Sequence, residues 1–503
     1  MAKITYLKNL DSLIFAIIGF YAIHLFTSYS GIGISPDSIM YASTAHSIVA
    51  HGNLITFNGG PLVFFPVFYP FFLGIILFIS RVDTIAAAPV INGVLFAALI
   101  FTTGYIVSKF RASSVIYKWL ILAGIILSPG LLEVYTYLWS ETLFILEVAL
   151  FALAYGYYLQ KHTLKSLLLV GLLVAISCIT RYAGVTLILT GGLMLLLDRH
   201  LSIRQKIQHI LIFGFLSISL LVGNLILNHY SSGLSTGTRE PSITPLSQNL
   251  YYTGITISDW MGLPQSAHVY GIAIACIVLL FLVALLAWQF YKKRLDTAQD
   301  VITMFAAVYG IFIPALASVS RFETLNSRLL SPMYICLLIG CTSWVPDMLK
   351  GMYLKKKMLI AIPFIAIMLV FEYALYKIDW QRNDDEDDYG VPGYTDDDWN
   401  KSQFITFLKT HQDICKPGVP IYTDADEAVY FFTRNHATLL PHRYFKNTVN
   451  QFYTVKHYYL IWFSNLNDTE LIGLKDIQQR QNLKLLYQFP DGAVYEYTAA
   501  GNK

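Results

Sequence analysis

Apolar windows of roughly 17 to 25 residues recur along this chain from Ser12 to Tyr376, each long enough as a helix to cross a hydrocarbon core about 30 Å thick. That series leaves few folds open, because within lipid every backbone N–H and C=O must be satisfied internally, and long apolar windows achieve this as helices. The windows fall at about 11–29, 85–108, 114–131, 139–160, 165–180, 183–198, 207–228, 269–290, 299–319, 328–346 and 358–376. Composition agrees: 55% of the 503 residues are hydrophobic and 13% charged, too apolar for a soluble globular protein. A net charge of +3 points to no nucleic-acid partner. The fold class expected is an α-helical polytopic membrane protein with about 11 transmembrane helices.

Charge sets the expected topology. Lys3 and Lys8 precede the first window, read here as a retained anchor, and no Lys or Arg follows until Arg81. The positive-inside rule therefore puts the start of the chain in the cytoplasm and residues 30–84 outside. Val63–Ser80, VFFPVFYPFFLGIILFIS, is long enough to span but carries Pro66 and Pro70 early. If it spanned, the clusters Lys109/Arg111/Lys118, Lys161/Lys165, Arg199/Arg204/Lys206, Lys292/Lys293/Arg294 and Lys350/Lys355/Lys356/Lys357 would all lie outside. It is read as a juxtamembrane or re-entrant helix, which must border protein or a water-filled cavity. The outer face then holds few cations, Arg81, Arg181, Arg239, Arg321 and Arg328, each a candidate ligand for an anion.

Three domains are expected: a membrane domain over 1–378, an acidic linker over 379–398, and an extracytoplasmic α/β domain over 399–503. In the last, NKSQFITFLKTHQ reads as an amphipathic helix and VPIYTD, YYLIWF and DGAVYEY read as strands. Residues 229–268 read as a long outer loop. The five cysteines show no metal spacing, and four lie in apolar windows.

Candidate chemistry lies in the outer segments. Asp37, in ISPDSIMY, is either a cap for the amphipathic stretch after it or a general base toward a hydroxyl or amine, with Tyr41 one turn on to orient it. Glu141, in WSETLF, begins the fourth window and could converge with Asp37 on one pocket; a cap-like role is its plain alternative. Arg181, in TRYAG between two apolar runs, calls for a partner, because an isolated charge at membrane depth costs several kcal/mol. Arg328, in SRLLSPMY, either grips phosphate or snorkels to headgroups. Arg181→Ala is expected to weaken donor binding more than Arg239→Ala. His46 and His51 are spaced wrongly to share a helix face, so no metal ligands are assigned; no cofactor is named, with room left for a divalent metal. Glu147 and Glu372 fall within windows and could mark a proton path, as in a transporter or flippase of a lipid-linked sugar.

Taken in order, PDSIMY, FPVFYP, WSETLF, TRYAG and SRLLSPMY resemble the GT-C glycosyltransferases over roughly residues 10–345, and most closely the group of protein O-mannosyltransferases and lipid A aminoarabinose transferases. IYTDADEAVYFFTRNHATLLP is similar to the small extracytoplasmic domain of bacterial members. The resemblance implies an inverting transferase in the inner (cell) membrane. It would move a sugar, hexose or pentose, from a polyprenyl-phosphate donor to a lipid, glycan or protein acceptor at the outer face. By it, Asp37 is the general base, Glu141 the second catalytic carboxylate, Arg181 and Arg328 contact the donor phosphate, and Tyr41, Tyr69 and Tyr182 line the site. Many members carry Asp-Glu where this chain has Asp37-Ser38.

Overall fold

The computed structural model describes residues 9–110, 114–237, 239–321, 323–411, 413–466 and 468–499. Lys3, Lys8 and Arg111, which entered the topology argument, lie outside them. The membrane part runs α1 (Leu10–Phe26), α2 (Pro36–His51), α3 (Phe68–Ser80), α4 (Thr84–Phe110), α5 (Val115–Ile126), α6 (Pro129–Tyr135), α7 (Glu141–Lys161), α8 (Leu164–Thr180), α9 (Val185–Leu197), α10 (Ile203–Ser232), α11 (Leu246–Trp260), α12 (Gly271–Tyr291), α13 (Ala298–Ala317), α14 (Ser327–Met348) and α15 (Leu354–Tyr389). Among the described residues seven helices are long and apolar enough to cross a membrane; α5 and α6, bent by 54° at their junction, make one more if counted together. The shorter apolar helices are α1, α3, α8 and the stretch Tyr182–Leu197. This is a multi-pass membrane protein whose apolar helices coincide with the windows read from the sequence.

Local chemistry sets the helix starts. Ser114, Ser128, Thr163, Ser202 and Thr297 each accept a backbone N–H from three residues on, satisfying one of the orphan donors of a first turn. Pro66 and Pro70 hold α3 to 13 residues, about 20 Å of helix, shorter than a hydrocarbon core. Helices α7 and α13 form the centre of the bundle, buried around nearly their whole circumference, whereas α10, α12 and α15 leave most of their apolar surface facing outward.

Two segments differ from expectation. Residues 229–268 are not simply a loop: α11 lies within them and packs along α12, so closely that a Cβ on Gly254 would stand 1.7 Å from the Gly271 carbonyl oxygen. Of its seven buried residues only Ile257 and Trp260 are large and apolar; Asn249, Thr253, Gly254, Thr256 and Ser258 are small or polar and give little apolar signal. The acidic segment 379–398 is likewise half helix, since α15 continues unbroken to Tyr389 and leaves a connection of only a few residues.

After that connection come α16 (Asp397–Asn400), α17 (Gln403–Thr410), β1 (Ile421–Thr423), α18 (Asp426–Thr433), β2 (Thr438–Leu439), α19 (Lys446–Tyr453), β3 (His457–Phe463), α20 (Leu474–Arg480), β4 (Lys484–Gln488) and β5 (Gly492–Thr498). The sheet order is β2-β1-β3-β5-β4, parallel through β2, β1 and β3 and antiparallel through β5 and β4. The expected helix and three expected strands are α17, β1, β3 and β5. The small domain and the connection before it rest on the loops between α1 and α3: the Tyr394 N–H donates to the Ile34 carbonyl at 2.9 Å, and the Phe57 and Tyr430 rings meet at 5.3 Å.

Candidate active site

Asp37 does not cap its helix. Ser35 precedes α2, Pro36 occupies its first position, and the Ser38 hydroxyl accepts the Ser35 N–H at 3.1 Å, leaving the Asp37 carboxylate free to face Arg328. The loop bearing it is tied to the one bearing Glu141 through Gly33, whose N–H donates to the Thr136 carbonyl at 2.8 Å. A Cβ on Gly33 would stand 2.7 Å from Val391 and 2.8 Å from the Tyr137 ring, so the approach requires glycine.

The four charged residues singled out in the sequence form one chain of ion pairs. Arg328 donates to Asp37 through Nη2 and to Glu141 Oε1 through Nε at 2.8 Å, while its guanidinium lies 4.1 Å from the Trp139 ring centre. Arg181 Nη1 lies 2.6 Å from Glu141 Oε2 and donates to the Ser140 hydroxyl at 2.8 Å. Ser140 in turn meets the Tyr41 hydroxyl at 3.1 Å. Glu141 is fully buried with both oxygens engaged by arginines, whereas the Asp37 side chain keeps 25% exposure. Glu141 therefore holds two guanidinium groups in place, and Asp37 is the more exposed of the two carboxylates in the ion-pair chain.

Further acids face this cluster. Glu323 lies 3.8 Å from Arg328, its carboxyl raised by burial against the pull of that guanidinium. Glu427, at the start of α18 in the small domain, is raised by burial and then by its neighbour Asp426, and it also feels the charge of Asp37.

Beside the ion-pair chain is a cavity of about 470 Å³, lined by Phe64, Phe65, Pro66, Ser140, Arg181, Tyr182, Arg239 and Tyr309 with aliphatic side chains of α10 and α13. The proline-broken run before α3 thus borders it. Of the three tyrosines expected to line the site, Tyr182 does. Tyr41 and Tyr69 do not; they are buried edge to face, 5.0 Å apart, behind the cavity wall, and Tyr41 reaches Ser140 rather than Asp37. The Tyr41 ring packs against both Phe65, at 4.9 Å, and Tyr69, and Phe65 takes the place at the cavity wall.

Of the arginines that the sequence assigned to the outer face, three are held by carboxylates. Arg181 and Arg328 are engaged by carboxylates, and Arg321 is held by Glu240 at 2.6 Å and by Glu470. Arg239 has no carboxylate partner among the described residues; it lines the cavity 6.0 Å from the Tyr182 ring. Ser140 and Trp139 were not singled out by sequence reasoning, although both stand in the WSETLF run; Glu427 gave no local signal, because it arrives from almost 400 residues away. His46 pairs with Asp83 at 2.8 Å and takes no part in this cluster.

Fold and site together define a multi-pass membrane protein of GT-C architecture, with an acidic and arginine-rich cluster at one end of the bundle. Solved membrane glycosyltransferases share it. ArnT from Cupriavidus metallidurans in the apo state matches with a TM-score of 0.60 at 10% identity over 100% of both chains. The same protein bound to undecaprenyl phosphate matches at 0.57 and 11% identity over 97% of this chain and 99% of that one. The oligosaccharyltransferase of Archaeoglobus fulgidus matches at 0.52 and 10% identity over 90% of this chain and 69% of its own. At such identities the common property is the fold. No protein-family description matches the sequence, and no curated protein matches it significantly.

Proposed function

We propose that this protein transfers a sugar from a polyprenyl-phosphate donor to an acceptor hydroxyl or amine at the membrane surface, with inversion at the anomeric carbon. The observation that carries the reading is the release of Asp37 from any capping role and its exposure at the head of an ion-pair chain that ends at a cavity-lining arginine. Acceptor oxygen or nitrogen attacks the anomeric carbon, the bond from that carbon to the phosphate oxygen breaks, and Asp37 takes the acceptor's proton. The prenyl phosphate leaves with the electron pair. Arg239, at the cavity wall and without a carboxylate partner among the described residues, meets the growing phosphate charge, and such a positioned donor is worth about 2.7 to 4 kcal/mol in a dry site. Leu221, Leu225, Ile313 and Leu316 suit an apolar chain. The bound undecaprenyl phosphate of ArnT supports a donor of this kind.

Arg328 stands between base and donor, where its bond to Asp37 positions the carboxylate. Glu141 acts by holding Arg181 and Arg328 rather than by taking a proton. The membrane domain is assigned the reaction, and the 399–503 domain, by bringing Glu427 toward Asp37, an acceptor-facing wall.

The test is mass spectrometry of surface glycans, glycolipids and glycoproteins from cells lacking the protein, rescued by wild type or by Asp37→Asn at equal membrane levels. One sugar is expected to vanish without the gene and return with the wild type alone, transfer by the variant falling by roughly 10² to 10⁴. Equal rescue by both versions overturns the assignment of Asp37.

A further inference from the structure

At the far end of α7 from Glu141 is a second cluster of ligating side chains, which the transfer reaction does not use. The helix is 21 residues long, about 31 Å, so this cluster stands at the opposite face of the membrane from Asp37. His162 follows α7 in a left-handed conformation, φ 49°, and its N–H closes the helix on the Tyr158 carbonyl at 2.7 Å. Asp198 ends α9, and His200 lies two residues on, in the turn before α10.

The three side chains converge. His162 Nε2 lies 2.7 Å from Asp198 Oδ2, His200 Nδ1 lies 3.3 Å from Asp198 Oδ1, and one ligand atom from each residue falls within 4.8 Å of the others. Two ligands on one tetrahedral ion at about 2.0 to 2.1 Å stand roughly 3.3 Å apart, the spacing that His200 Nδ1 and Asp198 Oδ1 already have. The carboxylate is 2% exposed and its Oδ1 also accepts the His200 N–H at 2.8 Å, which fixes its orientation. His200 is 66% exposed, leaving one side open to water or a fourth ligand. The Tyr158 ring packs edge-on to both His162 and His209, and its hydroxyl meets His209 Nδ1 at 2.7 Å, setting a third imidazole behind the cluster.

Nearby cations are turned elsewhere. The Arg199 guanidinium lies over the Phe290 ring at 4.1 Å, and Lys206 Nζ donates to the Leu196 carbonyl at 2.7 Å. Two imidazoles and one carboxylate match the ligand preferences of zinc and its neighbours rather than those of magnesium or calcium.

We propose that His162, Asp198 and His200 bind one divalent transition-metal ion, clasping the turn between α7 and α8 to the turn between α9 and α10 on the face opposite the active site. The inference is independent of the transfer reaction. Full-length protein in detergent, without a histidine tag and stripped with chelator, is titrated with Co²⁺ and then with Zn²⁺. The expected result is visible absorption of histidine-bound Co²⁺ saturating at one equivalent per chain, displaced by Zn²⁺. Affinity should fall at least about tenfold in His200→Gln and in His162→Gln, and be unchanged in Asp37→Asn. Because His200 is largely exposed, its variant keeps the fold, checked by an unchanged melting temperature in chelator. No saturable Co²⁺ signal in the wild type, an undiminished one in His200→Gln, or its loss in Asp37→Asn overturns the site.

Discussion

Arg328 has three acidic neighbours, Asp37, Glu141 and Glu323, while Arg239, nearer the open cavity, has none among the described residues. This difference reverses an expectation. Read along the chain, Arg181 has the stronger reason to bind an anion, because it interrupts two apolar runs. In the folded protein Glu141 already supplies that anion, and without Arg181 one buried oxygen of Glu141 loses its cation while Arg328 still holds the other. Arg181→Ala is therefore expected to lower stability by about 1 to 3 kcal/mol, read in thermal or denaturant unfolding. Arg239→Ala should leave the melting temperature in place and weaken polyprenyl-phosphate binding about tenfold, the scale of one charge-assisted hydrogen bond. Calorimetric titration of both variants decides between them. Equal phosphate affinities in wild type and Arg239→Ala would remove Arg239 from the donor site.

Elements carry the geometry that single residues cannot. Helix α7 presents Glu141 at one end and ends at His162 on the other, so one buried rod sets the positions of both clusters. In the small domain, β1 delivers Asp424 to the buried N–H of Phe463 at 3.0 Å. Burial pushes the Asp424 carboxyl up to about 7, against an unfolded value of about 3.9. The native state holds the proton more tightly, so this group's contribution is fully present below about pH 4 and is lost as pH rises toward 7. The melting temperature of the full chain should accordingly fall between pH 5 and pH 7.5 more steeply in the wild type than in Asp424→Asn. Parallel pH profiles for the two would show that Asp424 is not the group responsible.

At the scale of the whole molecule, the small domain is fastened to the bundle by long-range contacts. Arg321, just before α14, binds Glu240 from the segment after α10 and Glu470 from the small domain, and lies 5.9 Å from the Tyr444 ring. Arg321→Ala is expected to speed amide exchange around residues 239–242 and 468–472 while leaving α7 and α13 protected, as read by hydrogen exchange with mass spectrometry. Unchanged exchange in both segments would show that other contacts suffice to hold the domain. Because Glu427 reaches the Asp37 neighbourhood from this domain, the same variant tests whether domain placement affects transfer.

The helical membrane fold was legible in the sequence because long apolar windows have one solution in lipid, and Pro66 and Pro70 marked the short helix for a local reason that needs no partner. The charged residues of the candidate site, which the structure brings together, were legible too: Asp37, Glu141, Arg181 and Arg328 stand out wherever charge is scarce. Their roles were not. Whether Asp37 caps or faces a reactant, whether Arg181 binds phosphate or carboxylate, and whether Tyr69 lines a cavity or backs it depend on which side chains arrive from elsewhere, and Arg328 meets Asp37 across 291 positions of chain. Helix α11 was missed for a related reason, since Ile257 and Trp260 are the only large apolar members of its buried face, and the rest of that face is small or polar and meets its partner only when α12 packs against it. Period and hydropathy are local properties of a chain, whereas an ion pair is a property of two segments, and only the tertiary structure brings those segments together.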